Sequence, residues 1–174
     1  MSLTISGKFN LTLCGMMGSG KSTIGKILAK KIGYDFVDID KLIEEKAKKS
    51  INKIFEEDGE KYFRELEEKI TLDILKKHNT VVSLGGGAII NKRISNIIKM
   101  NSYNIYLEVN LNILRQRLIK SKNRPLILKK NIDKTLKELL LKREIFYKKA
   151  NLIIKNESGI NNTIKTIIKN LINE

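Results

Sequence analysis

A glycine-rich turn set between a short apolar run and a helical one constrains this chain more than any other stretch of it: Gly15-Met16-Met17-Gly18-Ser19-Gly20-Lys21-Ser22. Gly15-x4-Gly20-Lys21-Ser22 is the Walker A spacing, in which glycines let successive backbone N–H groups turn inward around phosphate oxygens. Phe9 to Gly15 is apolar and rich in β-formers, and Lys21 to Ile32 carries its apolar residues at helical spacing. Strand, phosphate loop and helix follow from that order. Gly18, Ser19, Gly20, Lys21, Ser22 and Thr23 are therefore the candidate nucleotide-phosphate residues, with Lys21 reaching the β and γ phosphates of ATP and the Ser22 hydroxyl binding Mg²⁺.

The rest of the chain alternates in the same manner. Tyr34 to Asp38, Thr80 to Leu84, Tyr103 to Val109 and Leu152 to Ile154 read as strands. Between them lie predicted helices from Asp40 through Lys77, interrupted near Ser50 and at Asp58-Gly59, then over Asn91 to Met100, Leu111 to about Lys120 and Ile132 to Ala150, with a last helix from about Asn161. The fold class is α/β, a five-stranded parallel sheet covered by helices on both faces, in one domain over residues 1–174. Ligands of such sheets bind at the carboxyl ends of the strands, and the phosphate loop, Asp38-Ile39-Asp40 and Gly85-Gly86-Gly87 all fall there.

Charge sets the next limits. The net charge is +15, and of the 34 Lys/Arg and 19 Asp/Glu, residues 88–174 hold 19 and 6. A basic second half suits an anionic substrate, and it also keeps a nucleic-acid-binding ATPase open as a rival reading. Aromatic residues make up only 6%, a poor supply for base stacking, so the expectation is no nucleic-acid partner. Neither a signal peptide nor a membrane span is expected, which places the protein in the cytoplasm, as a monomer. Cys14 is the only cysteine and reads as a small buried strand residue, and the single histidine, His78, as a surface one.

No Asn-Lys-x-Asp, Asp-x-x-Gly or Leu-Ser-Gly-Gly-Gln occurs, which sets aside GTPase and ABC-type readings. The only proline is Pro125, so the Asp-Gly-x-Pro-Arg segment of nucleoside monophosphate kinases is absent too. Asp38, ending the second strand, is the better partner for Mg²⁺. Asp40 lies two residues on, so that extended backbone would turn both carboxylates to one side, one towards the metal and one towards an acceptor. Asp40 also stands where an N-cap would stand for the following helix. Arg64 and Glu67 are three apart on a predicted helix beside Phe63, and the triple glycine allows backbone to approach a ligand closely.

Taken together, the phosphate loop, Asp38-x-Asp40, Phe63-Arg64-x-x-Glu67, Gly85-Gly86-Gly87, Arg124-Pro125-Leu126 and Arg143-x-x-x-Tyr147 resemble the shikimate kinases in order and spacing over about residues 9–150. The resemblance implies a P-loop kinase fold with a mobile lid over about 118–131 and an acceptor-binding helical segment over about 39–78. It implies ATP-dependent phosphorylation of a shikimate hydroxyl, a step of chorismate biosynthesis, with Mg²⁺. By position, Asp40 is similar to the residue that contacts the acceptor hydroxyl, Arg64 and Arg143 to the clamps on its carboxylate, and Gly86 to its backbone donor. Gly85 and Gly87 flank that donor, and Glu67 would hold Arg64. Arg124 is similar to the lid arginine that closes on the transferring phosphate, and Arg117 to the one that packs on adenine. A gluconate-type sugar-acid kinase remains a second reading within the same class.

Overall fold

A computed structural model of the chain describes residues 8–120 and 131–172. Five strands, β1 (Asn10–Cys14), β2 (Asp35–Asp38), β3 (Thr80–Ser83), β4 (Ser102–Glu108) and β5 (Leu152–Lys155), form one sheet in the order β2-β3-β1-β4-β5, every pair parallel. The helices between them are α1 (Lys21–Ile32), α2 (Ile39–Ala47), α3 (Ile51–Glu57), α4 (Gly59–Leu75), α5 (Lys92–Asn101), α6 (Leu111–Lys120), α7 (Ile132–Tyr147) and α8 (Ile160–Ile172), with a 3₁₀ turn at Ala88–Ile90. Every predicted element is present, with ends displaced by at most three residues. The predicted break near Ser50 is a helix start, since its hydroxyl caps α3 by accepting from Lys53 N at 3.3 Å.

Strand residues alternate between two cores, as the two-residue period of extended chain requires. Leu11, Leu13, Val81, Tyr103, Ile105 and Leu107 pack with Ile24 and Leu28 of α1 and Ile164 and Ile167 of α8. Cys14, Val82 and Tyr106 face the opposite way, onto Ile39, Ile43, Phe63, Ile70 and Ile94 from the helices of the other layer. Burial pushes the Cys14 thiol up to about 12, so it sits there as a neutral apolar group. His78 is exposed, stacked on Phe9 with ring centroids 4.3 Å apart.

Strand order places β1 between β3 and β4, so the loop leaving β1 emerges where successive connections diverge to opposite sides. That is the crevice in which open parallel sheets take their ligands.

Gly25 sits inside α1, where alanine would normally gain about 1 kcal/mol of helix propensity. Here a Cβ would stand 2.6 Å from the Phe36 ring and 3.1 Å from Leu13 Cδ1. Overpacking costs about 1–3 kcal/mol, so Gly25→Ala is expected to lower the melting midpoint by a few degrees instead of raising it. Thermal denaturation of that variant, alone and combined with Phe36→Leu, checks this; the second change should restore part of the loss.

Candidate active site

The phosphate loop is built by backbone. Gly18 and Gly20 adopt φ of 78° and 93°, left-handed values that other residues resist, and Gly20 is the N-cap of α1 without any side-chain cap. The first turn of α1 contains no acidic residue. Its N-terminal N–H groups and the positive end of the helix dipole are thus left for an anion. Lys21 is only 9% exposed and folds back over the loop, donating to Gly15 O at 2.9 Å and Met16 O at 3.0 Å. Ser19 is fully buried, and its Oγ has no hydrogen-bond partner among the described residues. A cleft of about 390 Å³ opens over this loop, lined also by Ser22, Thr23, Asp38, Asp40, Arg117 and Asn156.

Asp38 and Asp40 share that cleft, but not through extended geometry. Asp38 ends β2 and is itself the N-cap of α2, its Oδ1 accepting from Lys41 N at 3.3 Å. Asp40 lies in the first helical turn. The helix begins two residues earlier than the sequence suggests, which removes Asp40 as a cap and leaves its carboxylate turned towards the triple glycine.

The triple glycine supplies room. A Cβ on Gly85 would stand 2.5 Å from Glu67 Oε1 and 2.8 Å from Asp40 Oδ1; on Gly86, 3.1 Å from an Arg143 guanidinium nitrogen; on Gly87, 2.9 Å from one of Arg64. Three glycines therefore seat two carboxylates and two guanidinium groups. Gly86 also abuts the phosphate loop, since its Cβ would lie 3.7 Å from both Gly15 O and Met17 N. The cradle and the charged cluster are adjoining walls of one site.

Within the cluster, Arg64 donates to Glu67 Oε2 at 2.8 Å and pairs with Glu60 at 3.3 Å, its guanidinium 5.1 Å from the Phe63 ring centroid. Glu67 is 2% exposed. Burial raises its carboxyl above the usual range; the Arg64 charge pulls it down without cancelling this, and the Asp40 carboxylate pushes it up further. Burial alone would lower Arg64, but Glu67 and Glu60 more than offset that and hold it above its ordinary value. Tyr147, one turn past Arg143 on α7, donates to the Gly86 carbonyl and stacks on Tyr106 with centroids 5.0 Å apart. Burial pushes its hydroxyl up to about 12, so it remains a donor at neutral pH.

Comparison with known proteins now decides the class. The sequence model of the family described as shikimate kinase matches residues 17–173. The chain belongs to the shikimate kinase family. A shikimate kinase of Sulfurihydrogenibium sp. (strain YO3AOP1) is 48% identical over 164 residues, covering 92% of this chain and 98% of the relative. One from Bartonella quintana (strain Toulouse) is 40% identical over 154 residues, covering 88% and 73%. Among solved structures, the shikimate kinase from Acinetobacter baumannii in complex with shikimate has a TM-score of 0.90 at 32% identity, covering 95% of this chain and 94% of that one. The chain is a kinase with the α/β fold of P-loop kinases.

In this kinase the structure gathers Lys21, Asp38, Asp40, Arg64, Glu67, Gly85, Gly86, Gly87, Arg117 and Arg143 around the carboxyl ends of β1, β2 and β3. Arg117 donates to Gly18 O at 3.2 Å and Asn156 O at 3.0 Å, tying α6 to the phosphate loop and to the loop after β5. Arg124 and most of the predicted lid lie outside the described residues. Two residues at the site were not singled out from the sequence for these contacts: Tyr147, whose four-residue spacing from Arg143 on one helix was the available signal, and Asn156, for which the only signal was its place directly after the last strand.

Because the folded state holds the Glu67 proton over a range where the unfolded chain has lost it, the contribution of this residue to stability is greatest below the ordinary carboxylate range. It falls as pH rises through the raised value. Urea unfolding at pH 5 and pH 7 is expected to show Glu67→Gln gaining on the wild type as pH increases. A constant difference between the two proteins would contradict the assigned shift.

Proposed function

We propose that the chain transfers the γ-phosphoryl group of ATP to a hydroxyl of shikimate, giving shikimate 3-phosphate and ADP. The observation that carries this reading is the turn Gly85-Gly86-Gly87, where a phosphate-binding loop adjoins two guanidinium groups and two carboxylates at close range. Few acceptors other than a small carboxylated alcohol suit that combination of charges.

Phosphoryl transfer demands alignment and charge neutralisation more than covalent chemistry from the protein. The open N–H groups of α1 and Lys21 hold the phosphates, Lys21 exchanging its present contacts with Gly15 O and Met16 O for phosphate oxygens. Arg64 and Arg143 orient the acceptor through its carboxylate, Glu67 keeping Arg64 in place, while a Gly86 backbone donor and the flanking Gly85 and Gly87 shape the acceptor wall. Asp40 accepts the proton of the acceptor hydroxyl as its oxygen bonds to phosphorus and ADP departs. Arg124 would offset charge on the transferring group from the lid, about 118–131, and Arg117 would pack on adenine.

No group of three His, Cys, Asp or Glu among the described residues could hold a metal ion alone, which fits a Mg²⁺ ion bound chiefly through substrate phosphates. Ser22 and Asp38 are the residues to hold it, and the ion would supply further charge neutralisation on the phosphates. Among the described residues no helix is long and apolar enough to cross a membrane. The reading also takes the chain as one kinase domain, monomeric and cytoplasmic, without a nucleic-acid partner.

ADP release measured with shikimate, gluconate, nucleoside monophosphates or RNA as the added acceptor tests this. Stimulation by shikimate alone is expected, and its absence would refute the specific claim. Asp40→Asn is expected to lower kcat by about 10² to 10⁴-fold with a small change in KM. Arg64→Ala should instead raise KM for shikimate on the order of 10 to 100-fold, through loss of a charge-assisted clamp and release of Glu67.

A further inference from the structure

Two consecutive carbonyls of the phosphate loop are held from outside it. Arg117 takes the Gly18 carbonyl, and Asn156 Nδ2 donates to Ser19 O at 2.7 Å. Asn156 follows β5, 137 residues away in sequence, and is 3% exposed. Its remaining groups are tied as well. The backbone N–H donates to Glu108 O at 2.8 Å, the backbone carbonyl accepts from Arg117 at 3.0 Å, and Oδ1 accepts from the Thr163 hydroxyl of α8 at 2.8 Å. The amide has one workable orientation, since the reverse would set oxygen against oxygen at Ser19.

The consequence lies in the geometry of a peptide. The described peptide bonds are trans and planar, so the carbonyl of Ser19 and the N–H of Gly20 point in opposite directions. A residue that pins the first outward aims the second inward. Gly20 is the N-cap of α1 and lines the cleft, and a Cβ there would meet Asn156 Nδ2 at 2.8 Å, so this contact also leaves no room for a side chain at position 20.

We infer that Asn156 is a positioning residue for nucleotide phosphates: by holding the Ser19 carbonyl it turns the Gly20 N–H into the cradle and couples the loop after β5 to it. This rests on the reading of the loop as the ATP phosphate site. The side chain acts through the loop, so what it sets is nucleotide affinity and not acceptor affinity. An aspartate of the same shape would face Ser19 O with a second acceptor, and should do more harm than alanine, which simply leaves the carbonyl unheld.

Titration of the whole protein with ADP by calorimetry, alongside steady-state kinetics, tests the inference. Asn156→Ala is expected to weaken ADP binding about tenfold, and Asn156→Asp more than that. KM for ATP should rise in parallel, while KM for the acceptor stays within about twofold. Thr163→Val, which keeps the amide but frees it to turn, should give a smaller loss in the same direction. Should circular dichroism show either Asn156 variant unfolded, Thr163→Val carries the test alone. Unchanged ADP affinity in the folded variants overturns the inference, as does an equal loss of affinity for ADP and acceptor. A wild-type protein that takes up no ADP overturns the phosphate site itself, and the role of Asn156 with it.

Discussion

Two buried asparagines hold β1 in register, and the site depends on that register. A strand buried on both faces by aliphatic side chains has little in its packing to distinguish one alignment from the next by two residues, and polar partners add the missing specificity. Asn10 accepts from Thr80 N at 3.1 Å, opposite which it stands in β3, and donates to the carbonyls of Leu75, the last residue of α4, and of Lys77 just beyond it. On the other edge Thr12 donates to Asn104 Oδ1 at 2.9 Å, again between register partners. All five residues of β1 are buried, so these bonds form where water cannot compete. Gly15 follows immediately, and its position relative to Gly86 is inherited from the sheet.

The loops of the site borrow rigidity from that arrangement. Lys21 and Glu67 are charged groups in a poorly hydrated setting, where an unpaired ion costs several kcal/mol, and the half-buried Arg64 and Arg143 stand at its edge. The arrangement answers with proximity: Glu67 beside Arg64, Lys21 over backbone carbonyls, Arg143 against the glycine turn. Burial raises the Glu67 carboxyl beyond what Arg64 offsets, and the nearby Asp40 carboxylate adds to the rise. Charges held in place by such neighbours need not reorganise during a reaction.

Local rules in the sequence carried most of the architecture. Apolar periods marked every strand and helix, and the Walker A spacing marked the cradle. The pair Asp38 and Asp40 shows where such rules stop. The end of a strand and the start of a helix compete for the same few residues, and the winner was settled by Asp38 capping Lys41 N, a contact that residue types alone assign to either aspartate. Asn156 was illegible for a different reason: its role exists only because β5 lies beside β4 and α8 returns across the loop. Tyr147 sits between these cases, its partner Arg143 visible at helical spacing and its bond to Gly86 spanning 61 residues of chain.

The glycine turn after β3 has a consequence for how such a site can change over time. Its three positions are approached from outside by four charged side chains, two at Gly85 and one at each of the others, so a methyl group at each position crowds a different set of functional groups. The segment acts as a template whose bare backbone sets the spacing of carboxylates, clamps and cradle at once. Variation in acceptor preference is therefore more accessible through single substitutions on α2, α4 and α7 than through the turn on which all of these groups are gauged.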